Sequence, residues 1–230
     1  MNGHYTYLLI NLCTVIFPLS LSFDKRVRFF KSWKYLLPGI LITGLFFLAW
    51  DALFTLKGVW SFNLDKIIGG YLFHLPLEEV LFFLTVPFAC VFIYACLNYY
   101  VKWQLPPRVV KTITALLFIA CVATLFIFRG RLYTMVTFGV LFLLIGSISY
   151  IFKAGWLPRF YMTYLVVLVP FFVVNGILTG IPVVIYNSSE NMNMRIASIP
   201  LEDFFYLMAL LLMNVGFFEY FKSSAQTKTT

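Results

Sequence analysis

The sequence predicts an all-α membrane protein of seven transmembrane helices, built as a 3+1+3 parallel internal repeat. Three observations carry this expectation. Of the 230 residues 62% are hydrophobic and 11% charged, with a mean hydropathy of +0.91, so there are too few polar groups to cover a water-soluble core. The apolar residues fall in seven runs, at about 5–22, 35–56, 79–100, 111–128, 132–151, 161–185 and 203–221, each suited to crossing the ~30 Å hydrocarbon layer as a helix. Finally, NLDKIIGGYLFHLPLEEVLFF at 63–83 lines up without gaps on NSSENMNMRIASIPLEDFFYL at 187–207, a constant offset of 124.

Taken in order, the run at 5–22 lacks a basic leading region and is long for a signal peptide, so it is expected to be a first span. The basic stretch DKRVRFFKSWK (24–34) leads into the second run, which carries Trp50 and Asp51 near its end. A connection holding Trp60, Asn63 and His74 ends in HLPLEEVLFF (74–83), where the third run begins. The run at 111–128 stands outside the matched segments and is expected to be a linker helix. The runs at 132–151, 161–185 and 203–221 repeat the first three, with Asn175 at the place of Asp51 and SIPLEDFFYL opening the last. This divides the chain into units 1–105 and 131–230 joined by a linker at 106–130. All seven runs are continuously apolar rather than alternating, which argues against a β-barrel.

Three spans plus one linker span return the second unit to the membrane in the orientation of the first, so the expected axis lies along the membrane normal. Asp51, Glu78 and Glu79 would then lie at one depth with Asn175, Glu202 and Asp203, six polar groups facing one shared pocket. The formal charge of +8 resides mostly in short connections, a pattern that suits anionic lipid headgroups and not nucleic acid. Twelve Lys and Arg fall on the side of the 22–34, 101–110 and 152–160 connections and the C-terminal tail, against five on the other side. The positive-inside rule thus places the N-terminus outside and the C-terminus in the cytoplasm, in the cell membrane. Cys13, Cys90, Cys96 and Cys121 lie inside apolar runs with no CxxC spacing, so neither a disulfide nor a metal site is expected.

The proline of each PLEE or PLED tetrad suits a first helical turn, and the acids after it lie near the positive end of the helix dipole. Capping alone would account for one such tetrad. Two copies at one offset point to more, since carboxyls at membrane depth usually face the bundle interior and act there. Adjacent residues on a helix project about 100° apart, so within each pair one acid can act while its neighbour orients it. A buried carboxyl beside a second one keeps a proton available at neutral pH, the condition for a general acid. Glu78, Glu79, Glu202, Asp203 and Asp51 are therefore the candidate catalytic groups. Trp50, Trp60, Phe82, Phe83, Phe204, Phe205 and Tyr206 are candidates to line a substrate site and stabilise a cation, although most rings in a chain with 20% aromatics will face lipid or the core. Asn63, Asn175 and Asn187 are candidate polar binding groups. His74 is weighed as a proton relay but is more simply a loop residue, and Asp65 and Glu190 are expected to be solvated.

With the repeated tetrads, WDALF (50–54) and the three-plus-one-plus-three layout, the chain resembles the integral-membrane lycopene cyclases, whose two units occur as separate subunits or as one fused chain. It looks like the fused form. The resemblance implies cyclisation of the ψ-ends of lycopene to β-ionone rings, through γ-carotene to β-carotene, with lycopene and γ-carotene as lipid-soluble substrates. It also implies membrane lipids and other carotenoid-biosynthesis enzymes as neighbours. Family motif acids carry over as Glu78, Glu79, Glu202 and Asp203. The second copy departs, with Asp203 for Glu79 and Asn175 for Asp51, so the halves are not expected to hold equal sites. Because the reaction is redox-neutral, no cofactor is expected for its stoichiometry.

Four other classes compete with this reading. A membrane prenyltransferase would need paired Asp-rich motifs, and none is present. A retinal protein would need a lysine within the last span, whereas Lys222 lies beyond it. A proton-coupled transporter, or a carotenoid-binding protein without activity, would share the intramembrane carboxylates, but a transporter should space them through the membrane and here they cluster at one depth.

Overall fold

The computed structural model describes residues 3–227. Seven helices dominate it: α1 (Thr6–Leu21), α2 (Trp33–Leu56), α3 (Leu77–Tyr100), α4 (Pro107–Ile127), α5 (Leu132–Gly146), α6 (Leu157–Gly180) and α7 (Leu201–Thr227). A π-helical turn, Ser147–Ile151, extends α5. All seven are long and apolar enough to cross a membrane once α5 is counted with its extension. Inside the spans, the hydroxyls of Thr14, Thr55, Thr114, Thr163 and Thr179 donate to the carbonyl four residues earlier, which satisfies them where no water is at hand.

The motif helices are central. In α3 and α7, 50% and 56% of the most apolar stretch is buried, against 11% in α4. Helix α1 packs along α3, α5 and α2 pack along α7, α3 also meets α2 and α6, and α4 lies on the outside against α5. Most of the core is one continuous cluster, in which Phe47, Phe83, Phe138, Phe160 and Leu212 are almost wholly buried.

The sixth span departs from its expected bounds of 161–185. It starts at Leu157, with Pro158 in a first turn where the missing N–H costs nothing, and it stops at Gly180, two residues before Pro182. Of the apolar residues after it, Val184 and Ile185 go into a short strand instead. Arg159, assigned above to a basic connection, sits in the first turn of α6, 4% exposed, and donates to the Val101 carbonyl at the end of α3 at 2.9 Å.

Between the helices of each half lies a short two-stranded hairpin. Strands β2 (Tyr71–Leu72) and β3 (Leu75–Pro76) precede α3, and β5 (Arg195–Ile196) and β6 (Ile199–Pro200) precede α7, with each residue of the first pair 124 before its match in the second. The left-handed positions also match, Gly69 (φ +92°) with Asn193 (φ +56°); asparagine is among the few side-chain-bearing residues that adopt this region readily. The two proline residues end their hairpins and sit just outside the helices rather than in their first turns, so Glu78 and Glu79 are the second and third residues of α3. A third pairing joins the halves: β1 (Trp60–Phe62) runs antiparallel to β4 (Val184–Tyr186), with Ser61 opposite Ile185, its own counterpart at offset 124.

Candidate active site

Where β1 and β4 cross the ends of the helices they cover a cavity of about 60 Å³. Four of the six expected polar groups reach it: Asp51 from α2, Glu79 from α3, Asn175 from α6 and Asp203 from α7. Each half supplies one pair. Asp51 and Glu79 face the same cavity from neighbouring helices, and two buried carboxyls sharing a site favour a state in which one keeps its proton. In the other half Asn175 replaces the second acid, and its Nδ2 donates to Asp203 Oδ2 at 2.7 Å.

The acids are held by phenols. Tyr7 donates to Glu79 Oε2 at 2.5 Å, Tyr206 to Asp51 Oδ1 at 2.8 Å, Tyr133 to Asp203 Oδ1 at 2.6 Å and Tyr186 to Asp203 Oδ2 at 2.9 Å. Asp203 thus receives three donors, an arrangement that complements the ionised form. Burial, and then the charge on Asp203, hold the Tyr186 phenol well above its ordinary range, so it remains a donor.

Glu78 and Glu202 do not reach the cavity. Glu78 Oε1 accepts from the Ile68 N–H at 2.7 Å and Glu202 Oε1 from the Met192 N–H at 2.6 Å, residues again 124 apart. Thr134 also donates to Glu202 Oε1 at 2.6 Å. Each glutamate therefore ties the loop before its hairpin to the start of its helix, and in each the second oxygen is buried without a partner among the described residues.

Of the aromatic candidates, Trp60, Phe82 and Tyr206 line the cavity. Trp50 stands behind Tyr206, ring centroids 5.0 Å apart. Phe83, Phe204 and Phe205 turn away from the cavity and pack on Phe47, on Phe171 and Phe172, and on Phe138. They lie on other faces of the same helical turn, as the 100° step demands. Asn63 and Asn187 are not at the site either. Both shape turns, accepting from the N–H groups of Asp65 and Ser189, and flank the β1–β4 ribbon. His74 is exposed at a hairpin tip with φ +67°. Glu190, expected to be solvated, accepts from the Leu132 N–H at the start of α5.

The sequence does not single out Tyr7, Tyr133 and Tyr186. Tyr7 and Tyr133 occupy matching places but are 126 apart, so a gapless comparison at 124 cannot pair them. Among the described residues, no group of three or more His, Cys, Asp and Glu is placed to hold a metal ion.

Comparison with curated proteins and with solved structures returns no match. A family model described as lycopene cyclase matches residues 4–97 and 130–221, which include both tetrads and every polar group of the cavity. Seven membrane-length helices and a buried carboxyl site formed from two matched segments agree with it, and the chain belongs to the lycopene cyclase family, enzymes of carotenoid biosynthesis.

Proposed function

We propose that the chain is a lycopene β-cyclase and that the cavity between α2, α3, α6 and α7 is its reaction centre. The observation that carries this reading is that two carboxyls, Asp51 and Glu79, face a triply donated third, Asp203, inside a ring of aromatic side chains. The couple gives its proton to C2 of a ψ-end, leaving a tertiary cation at C1. The C5=C6 double bond attacks C1 to close the ring, and the charge moves to C5. Loss of the C6 proton to a base restores the double bond, so one proton enters, one leaves, and no electrons are gained or lost. Asp203 is the fixed counter-charge facing the cation and the nearest acceptor for the departing proton. The faces of Trp60, Phe82 and Tyr206 attract the same charge, and the β1–β4 ribbon above them keeps water away from it.

The 3+1+3 organisation belongs to the same proposal. It is supported by the matched hairpins, by the matched loop ties of Glu78 and Glu202, by strand counterparts that pair as a two-fold requires, and by α4 lying between the two matched segments. The units would be 1–105 and 131–230, joined by a linker at 106–130. With Arg159 turned inward, eleven basic residues against five still favour a cytoplasmic C-terminus, which puts the cavity at the outer end of the bundle.

Expression in lycopene-accumulating cells tests the activity: loss of lycopene and gain of β-carotene is expected. Turnover in deuterated water tests the mechanism. One deuterium at C2 of each ring is expected, and β-carotene without it would overturn acid initiation by exchangeable carboxyls.

A further inference from the structure

A long apolar groove of about 580 Å³ runs down the outside of the bundle where α1 and α6 part, with α3 as its floor. Helix α1 packs along α3 and barely touches α6, so beside the apolar cluster of Tyr7, Ile10, Leu178 and Val183 the seam between them is open. We infer that this groove holds the unreacted length of the polyene while one of its ends occupies the carboxyl cavity, and that it is the way in from the membrane. The inference rests on the cyclase reading above.

Three observations support it. First, groove and cavity are contiguous: Phe82, Phe171, Asn175 and Leu207 line both. Second, the groove has no polar group to offer. The Thr6 and Thr14 hydroxyls are engaged by the carbonyls of Gly3 and Ile10, and the Asn175 amide is turned to Asp203, so its lining suits a hydrocarbon chain without a headgroup. Along α1 it extends from Thr6 to Pro18, about 18 Å at 1.5 Å per residue, more than half of a ~30 Å hydrocarbon layer. Third, the counterpart seam is shut. Between α5 and α2, Trp60 stands 5.1 Å from both Phe54 and Tyr133, ring centroid to ring centroid, whereas at offset 124 the smaller Val184 takes the place of Trp60 and the groove opens alongside α6. Access is therefore one-sided although the acids come from both halves.

Two measurements on the full chain in proteoliposomes test this. Cys13 lines the groove on the exposed face of α1. In a variant with Cys90, Cys96 and Cys121 replaced by alanine, lycopene in the bilayer should slow N-ethylmaleimide labelling of Cys13 at least five-fold relative to the same lipid without it. In parallel, Ala89→Trp on the floor and Cys13→Trp on the wall should each lower lycopene turnover at least ten-fold, while Leu45→Trp, the same ring on an exposed site of α2, leaves it unchanged. Equal labelling with and without lycopene, together with wild-type turnover in both groove variants, would overturn the groove and leave the cyclase reading standing. Protection without any turnover in the unmodified chain would uphold the groove and defeat the cyclase reading. Equal labelling by lipid alone at the protected rate would assign the groove to acyl chains and overturn the proposal.

Discussion

Within each tetrad the two acids divide their work by direction alone. Glu79 and Asp203 point into the cavity, and Glu78 and Glu202, one helical step earlier, point back to the loops. This makes the consequences of substitution differ in kind. Glu79→Gln and Asp51→Asn each remove a carboxyl from the proposed acid couple, and each is expected to lower turnover about 10²–10⁴-fold, the usual range for a general acid, with the melting temperature little changed. Glu78→Gln keeps the oxygen that accepts the Ile68 N–H and replaces only the one without a partner, so turnover should stay within a few-fold of wild type. Glu78→Ala leaves that N–H unsatisfied and should lower stability by about 1–3 kcal/mol. Turnover and thermal unfolding of the four variants in detergent check this; a larger rate loss in Glu78→Gln than in Glu79→Gln would exchange the two roles.

At the scale of elements, the short ribbon of β1 and β4 is the piece of regular structure that covers the site. Three residues from each loop pair across the two halves, and Trp60, Phe62, Val184 and Tyr186 line the cavity beneath. Proline at Ser61 removes a ladder N–H at the centre of this pairing. Ser61→Pro is expected to admit water and divert part of the product to a tertiary alcohol, since a carbocation is captured by any nearby oxygen. Analysis of products by mass would show the added water; unchanged β-carotene as sole product would mean the ribbon is not the seal. The ribbon was not legible in the sequence because two three-residue strands carry no periodicity of their own. The spans were legible because runs of about twenty apolar residues seldom occur outside a membrane helix. The tetrads were legible because their spacing is repeated without gaps. Tyr7, Tyr133 and Tyr186, three of the four phenols that hold the acids, were hidden among 14 tyrosines, on α1, α5 and β4, and only the folded chain brings them together. Asn63 and Asn187 matched at the same offset as the acids, yet what the repeat preserves there is a turn, so offset alone does not separate chemistry from architecture.

For the molecule as a whole, the decisive feature is that the two segments matched by the family, 4–97 and 130–221, enclose one cavity. Asp51 and Glu79 from the first and Asn175 and Asp203 from the second face the same 60 Å³ space, and the departures of the second half leave it without a carboxyl couple of its own. A chain with one reaction centre and one open seam can close one ring at a time. A linear substrate with two ψ-ends must then withdraw, reverse and return before its second ring forms. With lycopene in large excess over enzyme, γ-carotene is expected to accumulate first, well beyond the enzyme concentration, and β-carotene to follow after a lag. Because the one-ringed product has left the protein, unlabelled γ-carotene added to a reaction on ¹³C-labelled lycopene should dilute the label reaching β-carotene in proportion to the amount added. Undiluted label and no lag would mean that both ends are served without release, which a single one-sided cavity does not allow, and the search for a second centre would then turn to the shut seam between α2 and α5.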